Sequence, residues 1–113
     1  MVKKHTECSS SLVPVRDALD FISGKWKLPI LISISEGNHR FREIERSIGK
    51  INSKVLAKEL KNLEEYKLIK REVYDIPPVV IEYTLLPYAE SLSEVIGALH
   101  DWGVHHRKHM SEK

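Results

Sequence analysis

The stretch from Phe41 to Tyr66, FREIERSIGKINSKVLAKELKNLEEY, decides the fold. Phe41, Ile44 and Ile48 recur at three- and four-residue steps and predict a helix over 41–48. Gly49-Lys50-Ile51 interrupts that pattern, and Asn52 follows as a good helix-capping residue. A second helix then runs to about Tyr66. Set on a wheel at about 100° per residue with Lys54 at zero, Lys58 falls near about 40° and Lys61 near about 340°. Leu56, Leu60 and Leu63 fall between about 180° and about 240° on the same wheel. The helix therefore has an apolar back and a cationic front. Two helices joined by a short turn containing glycine have the shape of a helix-turn-helix. In the usual docking the N-terminal end of the second helix approaches the bases, and there the sequence places Asn52, Ser53 and Lys54. Taken alone, an amphipathic helix with a lysine-rich solvent face fits this segment as well.

The flanks narrow the choice. Upstream, Trp26 to about Ser35 is apolar nearly all round, which predicts a buried helix, with Pro29 tolerable only in its first turn. Before it, Pro14 predicts the opening of another helix, carried by Val15, Ala18, Leu19 and Ile22 and ended by Ser23-Gly24. Residues 1–12, closing in Ser9-Ser10-Ser11, read as a flexible arm, and 13–113 as a single domain. Downstream, Ile69–Val73 and Val79–Leu85 read as a hairpin whose loop holds the Pro77-Pro78 pair. Pro87 then opens a last helix of about 20 residues, or roughly 30 Å. Its apolar positions are Tyr88, Leu92, Val95, Ile96, Leu99 and Trp102. Together with Val15 and Leu19 these are expected to form a dimer interface, with Tyr88 and Trp102 as aromatic anchors. The alternative is that they complete the core of one chain. The expected class is mainly α with a small β-hairpin wing (α+β), a winged helix-turn-helix with N- and C-terminal dimerisation helices.

Charge distribution agrees. The chain has a net charge of +2 over 113 residues. Residues 37–71 hold ten Lys/Arg against five acids, a local charge of +5. A basic middle between acidic flanks points to a polyanion. The expected DNA contacts are Arg42, Lys50, Asn52, Ser53, Lys54, Lys58, Lys61 and Arg71. Lys70 lies beside Arg71 at the base of the hairpin, while the tip, Asp75-Ile76-Pro77-Pro78, holds no cation. Such a tip contributes little counterion release.

At this level the residues resemble the HxlR-type regulators, a branch of the MarR-like winged-helix transcription factors. The resemblance covers about Val13 to Trp102. It is carried by Gly24-Lys25-Trp26-Lys27, Arg40-Phe41 with Glu43-Ile44, Val55-Leu56, Leu60 and Leu63-Glu64, and continues through Leu68-Ile69, Arg71, Val73-Tyr74, Pro77-Pro78, Glu82-Tyr83, Pro87 and Ser91-Leu92. It implies a winged-helix homodimer on a pseudo-palindromic operator, with the outer helices at the interface. Family members often carry Cys-Pro-Val before the first helix, where the cysteine senses oxidants. Here that place reads Val13-Pro14-Val15, and the single cysteine, Cys8, lies five residues earlier. A basic residue usual before the Glu-Tyr pair is replaced by Val80, and a usual glycine by Ala89.

Other chemistry finds little support. Lys3, Lys4 and His5 stand near Cys8 and would lower a thiol pKa, which leaves a redox role for Cys8 as an alternative. His105 and His109 have the four-residue spacing of a Zn²⁺ or Ni²⁺ pair, but lie in a charged tail expected to fray, so no metal is assigned. No phosphate loop, Ser-His-Asp set or carboxylate pair stands out, so neither an enzyme nor a cofactor is expected. No apolar run reaches the roughly 18 residues that span a bilayer, and no secretory signal follows Met1. One cysteine forbids an internal disulfide and fits a reducing cytoplasm. The expected partners are double-stranded DNA and a second copy, with no membrane; nothing in the sequence designates an effector. The competing reading is a winged-helix protein-interaction module, or a regulator gated by thiol or metal sensing.

Overall fold

The computed structural model describes residues 5–112, with side chains described from Ser11 onward. Its elements are α1 (His5–Ile22), α2 (Lys27–Ser35), α3 (Phe41–Ile48), α4 (Ser53–Glu65), β1 (Ile69–Tyr74), β2 (Val80–Leu85), a 3₁₀ helix (Pro87–Leu92) and α5 (Ser93–Ser111). The fold is mainly helical with one antiparallel hairpin, as expected.

The core lies where the second helix and the Phe41–Tyr66 stretch meet. Ile30 and Ile34 of α2, Ile44 of α3, and Leu56, Leu60 and Leu63 of α4 are fully buried, closed below by Leu68 and Ile69 at the entry to β1. Ser33 is the one buried polar side chain among the described residues, and its hydroxyl is paired at 2.7 Å with that of Ser47 on α3. Burying it without a partner would be costly. Pro29 is the third residue of α2, inside the first turn as required.

Two expectations are corrected. The first helix does not open at Pro14: α1 begins at His5 and Pro14 lies inside it, so the division drawn between residues 12 and 13 falls within a helix. A proline removes only one backbone hydrogen bond of a helix interior, so α1 runs on through Pro14. The last helix is also not uniform. Pro87–Leu92 is 3₁₀, and the α-helix starts only at Ser93 but runs to Ser111, so the His105–His109 segment is helical.

The hairpin pairs Ile69 with Leu85, Arg71 with Tyr83, Glu72 with Glu82 and Tyr74 with Val80. It is pinned to the helices through the loop before α3. The Tyr83 N–H donates to the His39 carbonyl at 2.7 Å, and His39 Nδ1 lies 3.0 Å from the Tyr83 carbonyl oxygen. Phe21 of α1 meets Tyr66 edge-on at 5.2 Å and ties the first helix to the end of α4. The outer helices leave the body elongated: the radius of gyration is 17.1 Å, against about 13 Å for a compact chain of this length.

Candidate nucleic-acid interface

The turn between α3 and α4 depends on two residues. Gly49 ends α3 at φ 86°, a left-handed conformation that side chains disfavour. Asn52 then opens α4, its side-chain oxygen accepting from the Val55 N–H at 2.8 Å. Ile51, between them, is buried and anchors the turn to the core. At the other end of α3, the Glu43 carboxylate accepts from the backbone N–H groups of His39 and Arg40 at 3.1 and 3.2 Å. The Arg40 bond, then the His39 bond, hold the Glu43 carboxyl below the usual carboxylate range.

The wheel drawn from sequence is realised in α4. Its three leucines are buried, and Lys54, Lys58 and Lys61 are all exposed, with no carboxylate in ion-pair range among the described residues. Glu59, on the same helix, turns back to Lys27 of α2 at 3.0 Å in a largely buried pair. That bridge both mounts α4 on α2 and takes an acid off the cationic face.

Arg42, Lys50, Asn52, Ser53 and Arg71 are also exposed. Their settings differ. Lys50 projects from the turn. Arg42 shares a shallow cleft of about 450 Å³ with Arg40, Arg46 and the start of β2. Arg46, one helical turn from Arg42, adds a further cation to this cleft. Arg71 and Lys70 are neighbours on β1 and so point to opposite faces of the hairpin. Lys70 is engaged by Glu72 at 3.4 Å, so Arg71 is the freer cation of the two. The Glu72 carboxylate, with burial and Glu82, pushes the Tyr74 hydroxyl up from its ordinary value. At the wing tip Ile76 is 84% exposed. Ser53 donates across the turn to Glu45, a contact between two helices that no local sequence pattern signals.

The residues expected at the dimer interface divide. Val15, Leu19, Tyr88, Val95, Leu99 and Trp102 are exposed, Tyr88 at 64% and Trp102 at 63%. Leu92 instead packs against the core, and Ile96 is half-buried along a cleft between α2 and α5. Trp102 stacks on His106 with ring centres 4.7 Å apart. Cys8 falls within α1, and its side chain lies outside the described residues. Among the described residues no three His, Cys, Asp or Glu side chains gather as metal ligands, and no helix is long and apolar enough to cross a membrane.

The profile of the HxlR-like helix-turn-helix family matches residues 21–111. The chain belongs to that family. It is similar to the HTH-type transcriptional regulator YtfH of Escherichia coli, at 38% identity over 79% of this chain and 71% of that protein. An HTH-type transcriptional regulator of Methanothermobacter thermautotrophicus is 39% identical over 87% of this chain and 75% of its own length. Among solved structures, the redox regulator HypR in its reduced form superposes with a TM-score of 0.79 at 32% identity, over 86% of this chain and 96% of that one. A MarR-family regulator from Enterococcus faecalis gives 0.75 at 28% identity, over 98% and 96%. This HxlR-like protein is thus a DNA-binding regulator of transcription with a winged-helix fold, and not an enzyme. In it the α4 face of Lys54, Lys58 and Lys61 is the candidate for the DNA contact.

Proposed function

We propose that this HxlR-like regulator acts in the cytoplasm as a homodimer, setting one α4 from each copy into the major groove of a pseudo-palindromic operator. The observation that carries the reading is the split of α4 into three buried leucines and three exposed lysines with no ion-pair partner among the described residues. A helix presented this way is held from behind while its front, up to Glu65 at its C-terminal end, offers positive charge to phosphate. Asn52, Ser53 and Lys54 approach base edges, Lys58 the groove wall, and Lys61, Lys50, Arg42 and Arg71 the backbone.

The second copy is supported by the outer helices. Val15 and Leu19 on α1, Tyr88 on the 3₁₀ helix, and Val95, Leu99 and Trp102 on α5 each expose a large apolar side chain, while Leu92 and Ile96 are partly buried. Monomeric proteins rarely leave such patches uncovered. Two copies joined there would present two α4 helices related by a two-fold axis, which is the geometry a palindrome mirrors.

Selection of bound fragments from random double-stranded DNA tests both parts. An inverted repeat in the recovered pool is the expected result. Recovery of no preferred sequence, with binding independent of salt, would instead make the chain a protein-interaction module on the same scaffold.

A further inference from the structure

At the N-terminal end of α4, two side chains are joined in a way that bears on which base they face. Ser53, the first residue of α4, donates its hydroxyl proton to Glu45 Oε2 of α3 at 2.6 Å. An ionised carboxylate can only accept, so the hydroxyl proton is committed to it and Ser53 keeps only lone pairs. Glu45 is half-exposed, and neither Arg42, Arg46, Lys50 nor Lys54 comes within ion-pair range of it. Its second oxygen has no other partner among the described residues. Ser53 and Glu45 together thus present acceptors alone, at the end of the helix that lies deepest in the groove.

An unneutralised carboxylate beside a phosphate is repelled. In the major groove it has one kind of favourable partner, the exocyclic amino group: N4 of cytosine or N6 of adenine. Guanine O6 and N7 and thymine O4 are acceptors and would leave two acceptors facing each other. We propose that Glu45 and Ser53 form an acceptor-only reading element that selects an amino-bearing base at one position of each half-site. The inference rests on the reading of α4 as the DNA-contacting helix. In it Glu45 adds specificity at that one position, beside whatever bases Asn52 and Lys54 contact.

The test uses the full-length chain and the operator recovered by fragment selection. Each base of a half-site is exchanged for the one that carries a carbonyl where it has a major-groove amine, cytosine for thymine and adenine for guanine, which moves the amine to the opposite strand, and binding is measured by titration. One position is expected to weaken wild-type binding roughly tenfold or more, and whether it holds cytosine or adenine identifies the amine. In E45Q the amide offers a donor as well as an acceptor, so the penalty at that position should fall nearly to onefold while the rest of the half-site is still read. Nucleotides carrying pyrimidinone or purine, which lack the amine, give the same test on the wild-type protein without any variant. If E45Q keeps the wild-type penalty at every position, or no position of the wild-type site responds to loss of its amine, Glu45 is only a clasp between α3 and α4 and the proposal is overturned. A wild-type chain that selects no operator would refute the reading of α4 itself, a different failure from this one.

Discussion

Replacing Lys54, Lys58 and Lys61 by alanine one at a time measures what each position on α4 contacts. All three are exposed and unpaired among the described residues, so none should cost stability beyond the few tenths of a kcal/mol usual for surface changes. DNA affinity should divide them. The logarithm of affinity falls with the logarithm of salt at about 0.9 per neutralised phosphate, so each contact loses roughly 3.5-fold between about 50 and about 200 mM. Three lysines in each of two copies would lose roughly 10³-fold over that range. Removing one lysine from both copies should flatten the slope by about two where that lysine touches only phosphate. Lys61, furthest along α4, is expected to behave this way and to weaken all sequences alike. Lys54, in the first turn, should cost on the order of 1–3 kcal/mol per half-site and relax the preference locally, because it reaches base edges. Lys58 should fall between. Fluorescence anisotropy titrations at several salt concentrations read both quantities, with Lys108→Ala on the far part of α5 as the inert control. If Lys54→Ala and Lys58→Ala bind like the wild type, α4 is not the reading helix.

Other substitutions separate support from contact. Asn52→Ala should lower stability by about 1 kcal/mol through loss of the Val55 cap, while Asn52→Ser keeps the cap; a thermal melt distinguishes them, and a loss of DNA affinity in the serine variant despite wild-type stability would assign the Asn52 amide to a base. Trp102→Ala should weaken the dimer by a few kcal/mol, seen in sedimentation as a shift to monomer at micromolar protein, and an unchanged dimer would place the interface elsewhere. The Glu43 carboxyl is held below its ordinary range by the Arg40 and His39 N–H groups, so its stabilisation is complete above the carboxylate range and lost as pH falls through the folded value. Glu43→Gln should therefore melt below the wild type near neutral pH, with the gap closing only as the pH falls below the ordinary carboxylate range; a gap that persists in strong acid would mean the charge is not what matters.

What was legible in the sequence was whatever repeats within one element. The period of Ile44, Ile48, Leu56, Leu60 and Leu63 placed α3 and α4 almost to the residue, because burial on one face forces that spacing. Asn52 was legible as a cap since its preference is local. The start of α1 was not, because a single proline pointed the wrong way and no strong period preceded it. The contacts that mount the site were not legible either. Lys27–Glu59 spans 32 residues, and His39–Tyr83 spans 44, so only the assembled core brings them together. Glu45 and Ser53 are eight residues apart on two helices whose angle the pattern does not specify.

That gap matters most for charge. Counted along the sequence, α4 carries Lys54, Lys58 and Lys61 against Glu59, Glu64 and Glu65, which is no net charge. Its surface is different. Glu59 is turned inward onto Lys27 and only 18% of its side chain is exposed, and Glu64 is half-buried, while all three lysines are open. The field a phosphate meets comes from exposed, unpaired groups, since a paired and partly buried carboxylate is offset by its own cation at 3.0 Å. Glu65 remains exposed, but at the C-terminal end of the helix, where the groove has already turned away. The same logic isolates Glu45: among the described residues no cation pairs with it at the reading end of α4, so its charge is the one an amine on the DNA would answer.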